Sequence, residues 1–173
     1  MVCEDSDMTE PLVRSAVAAD LDPITAIYNH YVEGGPVTFD TAPYTPAQRE
    51  PWFEQFSDEG LYRLFVVEEA GEVRGYAGSF RFRPKPAYET SVETTIYLAP
   101  EWTGRGLGPP LYAALFEALE GQDLHRALAG ITLPNPGSIR LHERFGFRRT
   151  GVFTEVGRKQ GQYWDVAWYE KPL

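Results

Sequence analysis

The stretch Ser91-Val-Glu-Thr-Thr-Ile-Tyr-Leu-Ala-Pro-Glu-Trp-Thr-Gly-Arg-Gly-Leu-Gly108 decides the fold of this 173-residue chain. Its first half has the composition of a strand, and Thr103–Gly108 is a glycine-rich turn that leads into an apolar helical pattern. Such a turn leaves several backbone N–H groups free and directs the positive end of a helix dipole towards one place. The arrangement suits a phosphate or pyrophosphate.

Strands and helices alternate on both sides of this stretch. Alternating or mostly apolar runs predict strands over residues 12–17, 63–69, 74–80, 89–99, 126–133, 147–155 and 163–169. Helix starts are predicted at Asp20 or Asp22, at Thr45-Pro46 and at Asn135-Pro136, since a capping side chain before a proline favours a helix N-terminus. No linker or internal repeat interrupts the pattern, so we expect one α/β domain with a mixed sheet over residues 12–173, after a flexible acidic tail over residues 1–11.

The composition narrows the class of protein. Apolar residues make up 43% and charged residues 24%, which is typical of a globular chain. The net charge of −9 argues against a nucleic-acid partner, because phosphate backbones need clustered Lys and Arg. No apolar run approaches the ~20 residues of a membrane span, and the acidic N-terminus lacks the parts of a signal peptide. We therefore expect a cytoplasmic protein with no membrane partner, in which the single cysteine, Cys3, has no role.

Glu93 is the candidate catalytic base. In an extended strand Glu93, Thr95 and Tyr97 share one face, and Val92, Thr94, Ile96 and Leu98 share the other. A carboxylate within so apolar a strand is costly unless it is partnered or functional. By periodicity alone, a salt bridge between Glu93 and an arginine is the simpler interpretation.

Two motifs carry a resemblance to a known family. The first is the turn Thr103-Gly-Arg-Gly-Leu-Gly108, and the second is Asn135-Pro-Gly-Ser-Ile-Arg-Leu-His-Glu-Arg-Phe-Gly-Phe147. In this order and about thirty residues apart, they resemble the GNAT superfamily of acyl-CoA-dependent N-acetyltransferases. The resemblance implies a mixed, mostly antiparallel sheet of about seven strands flanked by about four helices.

A narrower resemblance, to the phosphinothricin and methionine sulfoximine acetyltransferase group, rests on four segments and on the pattern of residues 157–166. The four segments are Tyr28–Tyr31, Phe80–Tyr88, Val92–Tyr97 and Arg140–Glu143. The group implies acetyl transfer from acetyl-CoA to the amine of a small amino-acid-like substrate, a homodimer, and no metal.

The resemblance also implies which residues hold acetyl-CoA. The pantetheine arm is expected along the backbone of Ile96, Tyr97 and Leu98, with Asn135 and Ser138 beside it. The pyrophosphate is expected on the backbone amides of Gly104, Arg105, Gly106, Leu107 and Gly108. Two departures from the family pattern predict weaker binding: Thr103 replaces a Gln or Arg, and Pro109 lacks an N–H group just after the turn.

For catalysis, the resemblance favours Glu93 as the base that deprotonates the amine. His142 stands where many members have a tyrosine that protonates the leaving thiolate, and the resemblance implies a catalytic role for it. The alternative for His142 is a histidine packed between helix and sheet.

Substrate recognition is expected from Arg81 and Arg83. Two residues apart, they share a face if the segment is extended, and a guanidinium matches a carboxylate in two parallel hydrogen bonds. Tyr88 and Phe39 are expected to line the substrate pocket. A solvated pair of surface arginines is the alternative.

Two other functions stay open at this point. A protein N-acetyltransferase would suit the acidic surface, although the Arg81/Arg83 pair favours a substrate with a free carboxylate. Thr103 and Pro109 would suit an acyl-CoA-binding sensor without turnover, whereas the presence of Glu93 and His142 favours an enzyme.

Overall fold

The computed structural model describes residues 11–173, so almost all of the acidic tail predicted over residues 1–11, including Cys3, lies outside the described residues. The strands are β1 Leu12–Ser15, β2 Leu64–Glu69, β3 Glu72–Arg81, β4 Ser91–Leu98, β5 Arg126–Thr132, β6 Arg148–Lys159 and β7 Gln162–Pro172. The α-helices of this part of the chain are α1 Leu21–Gly34, α2 Pro46–Phe53, α3 Gly108–Leu119 and α4 Pro136–Arg144.

The seven strands form one sheet in the order β1-β2-β3-β4-β5-β7-β6. Every neighbouring pair is antiparallel except β4 and β5, which are parallel. The predicted mixed, mostly antiparallel sheet of about seven strands and four helices is therefore confirmed. The parallel pair follows from the chain path, since α3 carries the chain back across the sheet between β4 and β5.

Two apolar clusters cover the two faces of the sheet. One cluster packs α3 against one face of the sheet, chiefly on β2 and β3, and its buried members include Val92, Leu111, Leu115 and Ala127. The other packs α1 and α2 against β2 and β3, with Ile24 and Tyr76 among its buried members. Val92 belongs to the first cluster and Tyr97 packs on the second, as the predicted alternation along β4 requires.

Local capping signals place two of the helices. Thr45 accepts a hydrogen bond from the backbone N–H of Gln48 and Pro46 opens α2, while Asn135 accepts from the N–H of Ser138 and Pro136 opens α4. Both predictions are confirmed. The prediction of a side-chain cap on α1 is wrong for Asp20, whose carboxylate instead accepts from the N–H of Val17 and pairs with Arg14.

Candidate active site

A cleft opens where β4 and β5 separate. The two strands pair only at Ser91–Glu93 with Arg126–Leu128, and beyond these positions each strand continues without the other. The backbone N–H of Ala99 donates to β3, so the odd-numbered residues of β4 bond to β3 and the even-numbered ones point towards β5. The main-chain groups of Thr94, Ile96 and Leu98 therefore face the cleft, which has a volume of about 640 Å³.

Because of this alternation, the three backbone positions that the sequence predicts for pantetheine do not all face the cleft. Ile96 and Leu98 present main-chain groups to the cleft, and the carbonyl of Leu98 accepts a hydrogen bond from the Tyr31 hydroxyl at 2.6 Å. Tyr97 lies opposite Tyr76, and its backbone N–H and C=O groups are directed to β3. Tyr97 therefore lines the cleft with atoms other than these two groups. Only the two even-numbered residues can form a pseudo-strand with a ligand.

The glycine-rich turn forms the mouth of the cleft. Gly104 and Gly106 adopt left-handed backbone angles, with φ of 73° and 84°, which a glycine adopts without strain. Both line the cleft together with Gly108, whereas Leu107 is buried in the core and the Arg105 guanidinium lies 4.6 Å from the Trp102 ring centroid. The glycines of the turn therefore line the cleft, whereas the side chains of Arg105 and Leu107 do not.

The first turn of α3 adds no free donor beyond Gly108. Gly108 begins the helix, and both Pro109 and Pro110 follow it without an N–H group. Leu111 already donates to the carbonyl of Leu107. The free N–H groups for an anion therefore come from the turn and from Gly108 rather than from the body of the helix.

The start of α4 forms the opposite wall of the cleft. The Asn135 side-chain oxygen caps the helix through the N–H of Ser138 at 3.1 Å, which leaves the Asn135 amide NH₂ group to donate elsewhere. Asn135, Gly137 and Ser138 all line the cleft. One asparagine can therefore hold the helix end and a ligand together.

His142 also lines the cleft, but it is only 3% exposed and lies in a chain of hydrogen bonds. Its Nδ1 lies 2.8 Å from the carbonyl oxygen of Ser138, which can only accept, so Nδ1 carries the proton. Its Nε2 then accepts from the Tyr112 hydroxyl at 3.1 Å, and the hydroxyl of Thr94 lies 2.7 Å from that of Tyr112. Burial lowers the pKa of His142, so the ring is neutral at pH 7.

Glu93 lies on the other face of β4, opposite Phe80 of β3. Its side chain is half-buried and has no ion pair or hydrogen bond with residues 11–173, so the salt-bridge interpretation is not observed there. Burial raises the pKa of the Glu93 carboxyl, and the positive charge of Arg83 partly opposes the rise. A half-buried, unpaired carboxylate with a raised pKa has the properties of a general base.

A second cavity of about 240 Å³ lies on the same face of the sheet as Glu93. It shares Thr95 and Tyr97 with the β4–β5 cleft, so the two cavities meet at β4. Its polar lining includes Arg49 and Asp40, and the sequence analysis proposed neither. Arg49 stands three residues before Trp52, on the inner face of α2, and this spacing could have identified it.

The predicted substrate residues are only partly brought together. The expectation that Arg81 and Arg83 share one face of an extended segment is wrong, because β3 ends at Arg81 and the chain then bends. The Arg81 guanidinium donates to the carbonyls of Arg83 and Pro84, at 3.1 and 2.6 Å. The Arg83 guanidinium remains near the Glu93 carboxylate. One arginine, rather than the predicted two, is therefore available to bind a substrate carboxylate.

Phe39 and Tyr88 lie outside both cavities. The ring of Phe39 packs against Gly157, where an added Cβ atom would come within 2.2 Å of it. Tyr88 is 43% exposed and contacts the ring of Phe82 edge to face. Their predicted role in binding substrate therefore has no support from the cavity lining.

No group of three or more His, Cys, Asp or Glu side chains in residues 11–173 is arranged to hold a metal ion. No helix in the same part of the chain combines the length and apolarity needed to cross a bilayer.

The splayed parallel pair and the glycine-rich turn form a cleft with free backbone N–H groups at its mouth, and the half-buried carboxylate of Glu93 lies on the other face of β4. Residues 24–147 match the model of the Acetyltransferase (GNAT) family, and the chain belongs to this family. The resemblance inferred from the two sequence motifs is thereby confirmed.

Named relatives are similar over nearly the whole chain. A phosphinothricin N-acetyltransferase from Streptomyces coelicolor is 58% identical over 166 residues, which cover 95% of this chain and 97% of that protein. An L-methionine sulfoximine/L-methionine sulfone acetyltransferase from Pseudomonas paraeruginosa is 36% identical, with coverages of 93% and 94%. The solved structure of a phosphinothricin acetyltransferase from Sinorhizobium meliloti in complex with AcCoA has a TM-score of 0.89 at 36% identity, covering 95% of this chain and 89% of that one.

Proposed function

We propose that this protein transfers the acetyl group of acetyl-CoA to the primary amine of a small amino-acid-like substrate. The observation that carries the proposal is the opening between β4 and β5, which has the glycine-rich turn at its mouth and meets the cavity on the Glu93 face. A cofactor can thus enter from one face of the sheet and an amine from the other. The substrates named for the relatives are amino acids or their analogues.

The lining of the cleft fits acetyl-CoA. The main-chain groups of Ile96 and Leu98 and the Asn135 amide would hold the pantetheine arm, with Ser138 beside them. The backbone N–H groups of the turn would hold the pyrophosphate, namely those of Gly104, Arg105, Gly106, Leu107 and Gly108. Acetyl-CoA supplies the activated acetyl group.

Glu93 acts as the general base. An amine is protonated at neutral pH, and Glu93 accepts that proton directly or through one water molecule. The new bond forms between the amine nitrogen and the acetyl carbon, and the carbon–sulfur bond breaks. The second amine proton ends on the thiol, so that the products are an amide and free CoA.

His142 acts through Tyr112. Because both ring nitrogens are bonded within the protein and the ring is neutral, His142 is poorly placed to give a proton to the thiolate directly. We infer that His142 fixes the Tyr112 hydroxyl and, through it, the Thr94 side chain at the cleft wall. This is a positioning role rather than the direct role that the resemblance implies.

The proposed activity is tested by measuring CoA release with a panel of phosphinothricin, methionine sulfone, methionine sulfoximine and proteinogenic amino acids. Turnover with a free amino acid and none with peptides of blocked carboxyl group supports the proposal. Turnover with peptides alone would favour the protein acetyltransferase. Measured acetyl-CoA binding without turnover on any amine would favour the sensor.

A homodimer and a cytoplasmic location are also proposed. β6 forms an outer edge of the sheet, and large apolar side chains on β6 and β7 are more than half exposed: Phe153, Val156 and Tyr163. Light scattering on wild type and Val156→Asp tests the dimer, since the charge should shift the mass towards that of a monomer. A wild-type monomer at micromolar concentration would contradict the proposed dimer.

The proposed cytoplasmic location needs a separate test by cell fractionation.

A further inference from the structure

Arg49 is a buried cation whose Nη1 atom has no hydrogen-bonding partner in the described part of the chain. It is 5% exposed, and its guanidinium carbon lies 4.4 Å from the centre of the Tyr28 ring and 3.9 Å from that of Trp52. Its Nη1 atom is sealed from solvent and has no hydrogen-bond partner among residues 11–173. Two aromatic faces offset part of the cost of burying a charge, but the N–H groups of Nη1 stay unsatisfied.

The same cavity holds further polar groups around Arg49. Asp40 lines it, but the Asp40 carboxylate is bonded by the Tyr28 hydroxyl at 2.5 Å and forms no ion pair with Arg49. The hydroxyl of Tyr76 is buried there and also lacks a partner among the described residues. Burial raises the pKa of Tyr76 and Arg49 partly opposes this rise, so the two groups are neighbours. The Arg49 Nη1 atom and the Tyr76 hydroxyl are both buried without a hydrogen-bond partner among residues 11–173.

We propose that Arg49 binds oxygen atoms at the far end of the substrate side chain, with the Tyr76 hydroxyl as a second donor. The inference rests on the proposed acetyl transfer and adds to it the feature that selects the substrate. The ligand chemistry is a side chain of a few apolar atoms that ends in an oxygen acceptor, such as a sulfone, a phosphinate or a carboxylate.

The spacing along β4 favours binding of Arg49 to the far end of the substrate side chain rather than to the α-carboxylate of the substrate. Tyr76 pairs with Tyr97, and Tyr97 is four residues from Glu93, which is about 13 Å along a strand. An α-carboxylate is one carbon away from the amine, so it must stay beside Glu93 and Arg83. Arg49 and Tyr76 line the cavity, whereas Glu93 and Arg83 lie outside its lining. Phe80, which pairs with Glu93, and Thr95 line the same cavity and connect it to Glu93.

The test compares methionine sulfone with methionine, which differ only by two oxygens at the far end of one carbon skeleton. The kcat/KM of the wild-type protein should be about tenfold higher for methionine sulfone than for methionine, or more. Arg49→Met keeps the length of the side chain and removes the donors. It should raise the KM for methionine sulfone about 10- to 100-fold and the KM for methionine less than about threefold.

Arg63→Met is the matched control, because Arg63 also lies over an aromatic ring, that of Phe65, but lines neither cavity. It should leave the ratio of the two KM values unchanged. An equal loss with both substrates in Arg49→Met, at unchanged acetyl-CoA affinity, would overturn the inference. If Arg49→Met does not fold, the wild-type comparison decides, and equal kcat/KM values would overturn it.

Failure of the acetyltransferase proposal gives a different result. If wild-type protein releases no CoA with any free amino acid, the proposed function falls. Turnover of methionine sulfone with an unchanged ratio in Arg49→Met would leave the enzyme assignment intact and remove only Arg49 from recognition.

Discussion

The two faces of β4 differ in whether their buried polar groups have hydrogen-bond partners within the protein. On the α3/α4 side, Thr94 begins a chain through Tyr112 and His142 in which each side-chain polar atom has a partner inside the protein. On the α1/α2 side, Arg49 Nη1 and the Tyr76 hydroxyl are buried without a hydrogen-bond partner among residues 11–173, and Glu93 has no ion pair there. Since buried polar groups are normally satisfied, the incomplete side indicates where a ligand completes the network.

The largest expected effect is that of Glu93→Gln, which removes the base and keeps the shape. We expect kcat to fall about 10²- to 10⁴-fold, the usual contribution of general acid–base catalysis. Steady-state CoA release measures kcat, and titration calorimetry should give an acetyl-CoA Kd close to that of wild type. Glu89→Gln, a change at an exposed glutamate nearby, should behave as wild type. An unchanged kcat in Glu93→Gln would remove Glu93 from the mechanism.

Arg83→Met should have the next largest effect. The KM for an amino acid should rise about 10- to 100-fold, since a charged hydrogen bond to the carboxylate is lost. The pKa of Glu93 should also rise, because Arg83 favours its ionised form, so the acid limb of the pH–rate profile should move to higher pH. Arg81→Met is the control, since the Arg81 guanidinium is held by its own loop. Equal effects of the two substitutions would contradict the distinction between them.

Tyr112→Phe breaks the complete chain on the other face. It leaves His142 Nε2 and the Thr94 hydroxyl without their partner, which should lower the free energy of unfolding by about 1–3 kcal/mol. Urea denaturation measures this loss, and Tyr163→Phe, at an exposed tyrosine, should show none. A stable Tyr112→Phe protein with a kcat as low as that of Glu93→Gln would show that this face is catalytic as well.

The smallest effect is expected for Asn135→Ala. Loss of the cap should cost about 1 kcal/mol of stability, and loss of the amide donor should raise the KM for acetyl-CoA. Thr45→Ala removes an equivalent cap on α2, far from the cleft, and should cost similar stability without changing that KM. If both substitutions leave the KM unchanged, Asn135 only caps its helix.

The elements that the sequence predicted well carry their signals locally. The caps of α2 and α4 and the alternation along β4 depend on residues within a few positions of one another, and they are confirmed. The mostly antiparallel character of the sheet needed the family resemblance, since strand pairing joins residues far apart in the chain.

The site was harder to predict because its geometry depends on loops and on distant contacts. Arg81 and Arg83 were paired on the assumption of an extended segment, and the bend after β3 separates them. The proposed role of Arg49 rests on the absence of an acceptor, which only the packed structure reveals. The contact of Tyr112 with His142 has no local signal, because it joins residues thirty positions apart.

The most direct test of the difference between the two faces is the pH dependence of kcat in Glu93→Gln and in Tyr112→Phe, at saturating concentrations of both substrates. Ionisation of Glu93 should produce the acid limb, because kcat falls as the base becomes protonated below its raised pKa. We predict that this limb disappears in Glu93→Gln and keeps its position in Tyr112→Phe. A limb that persists in Glu93→Gln and shifts or disappears in Tyr112→Phe would contradict the account.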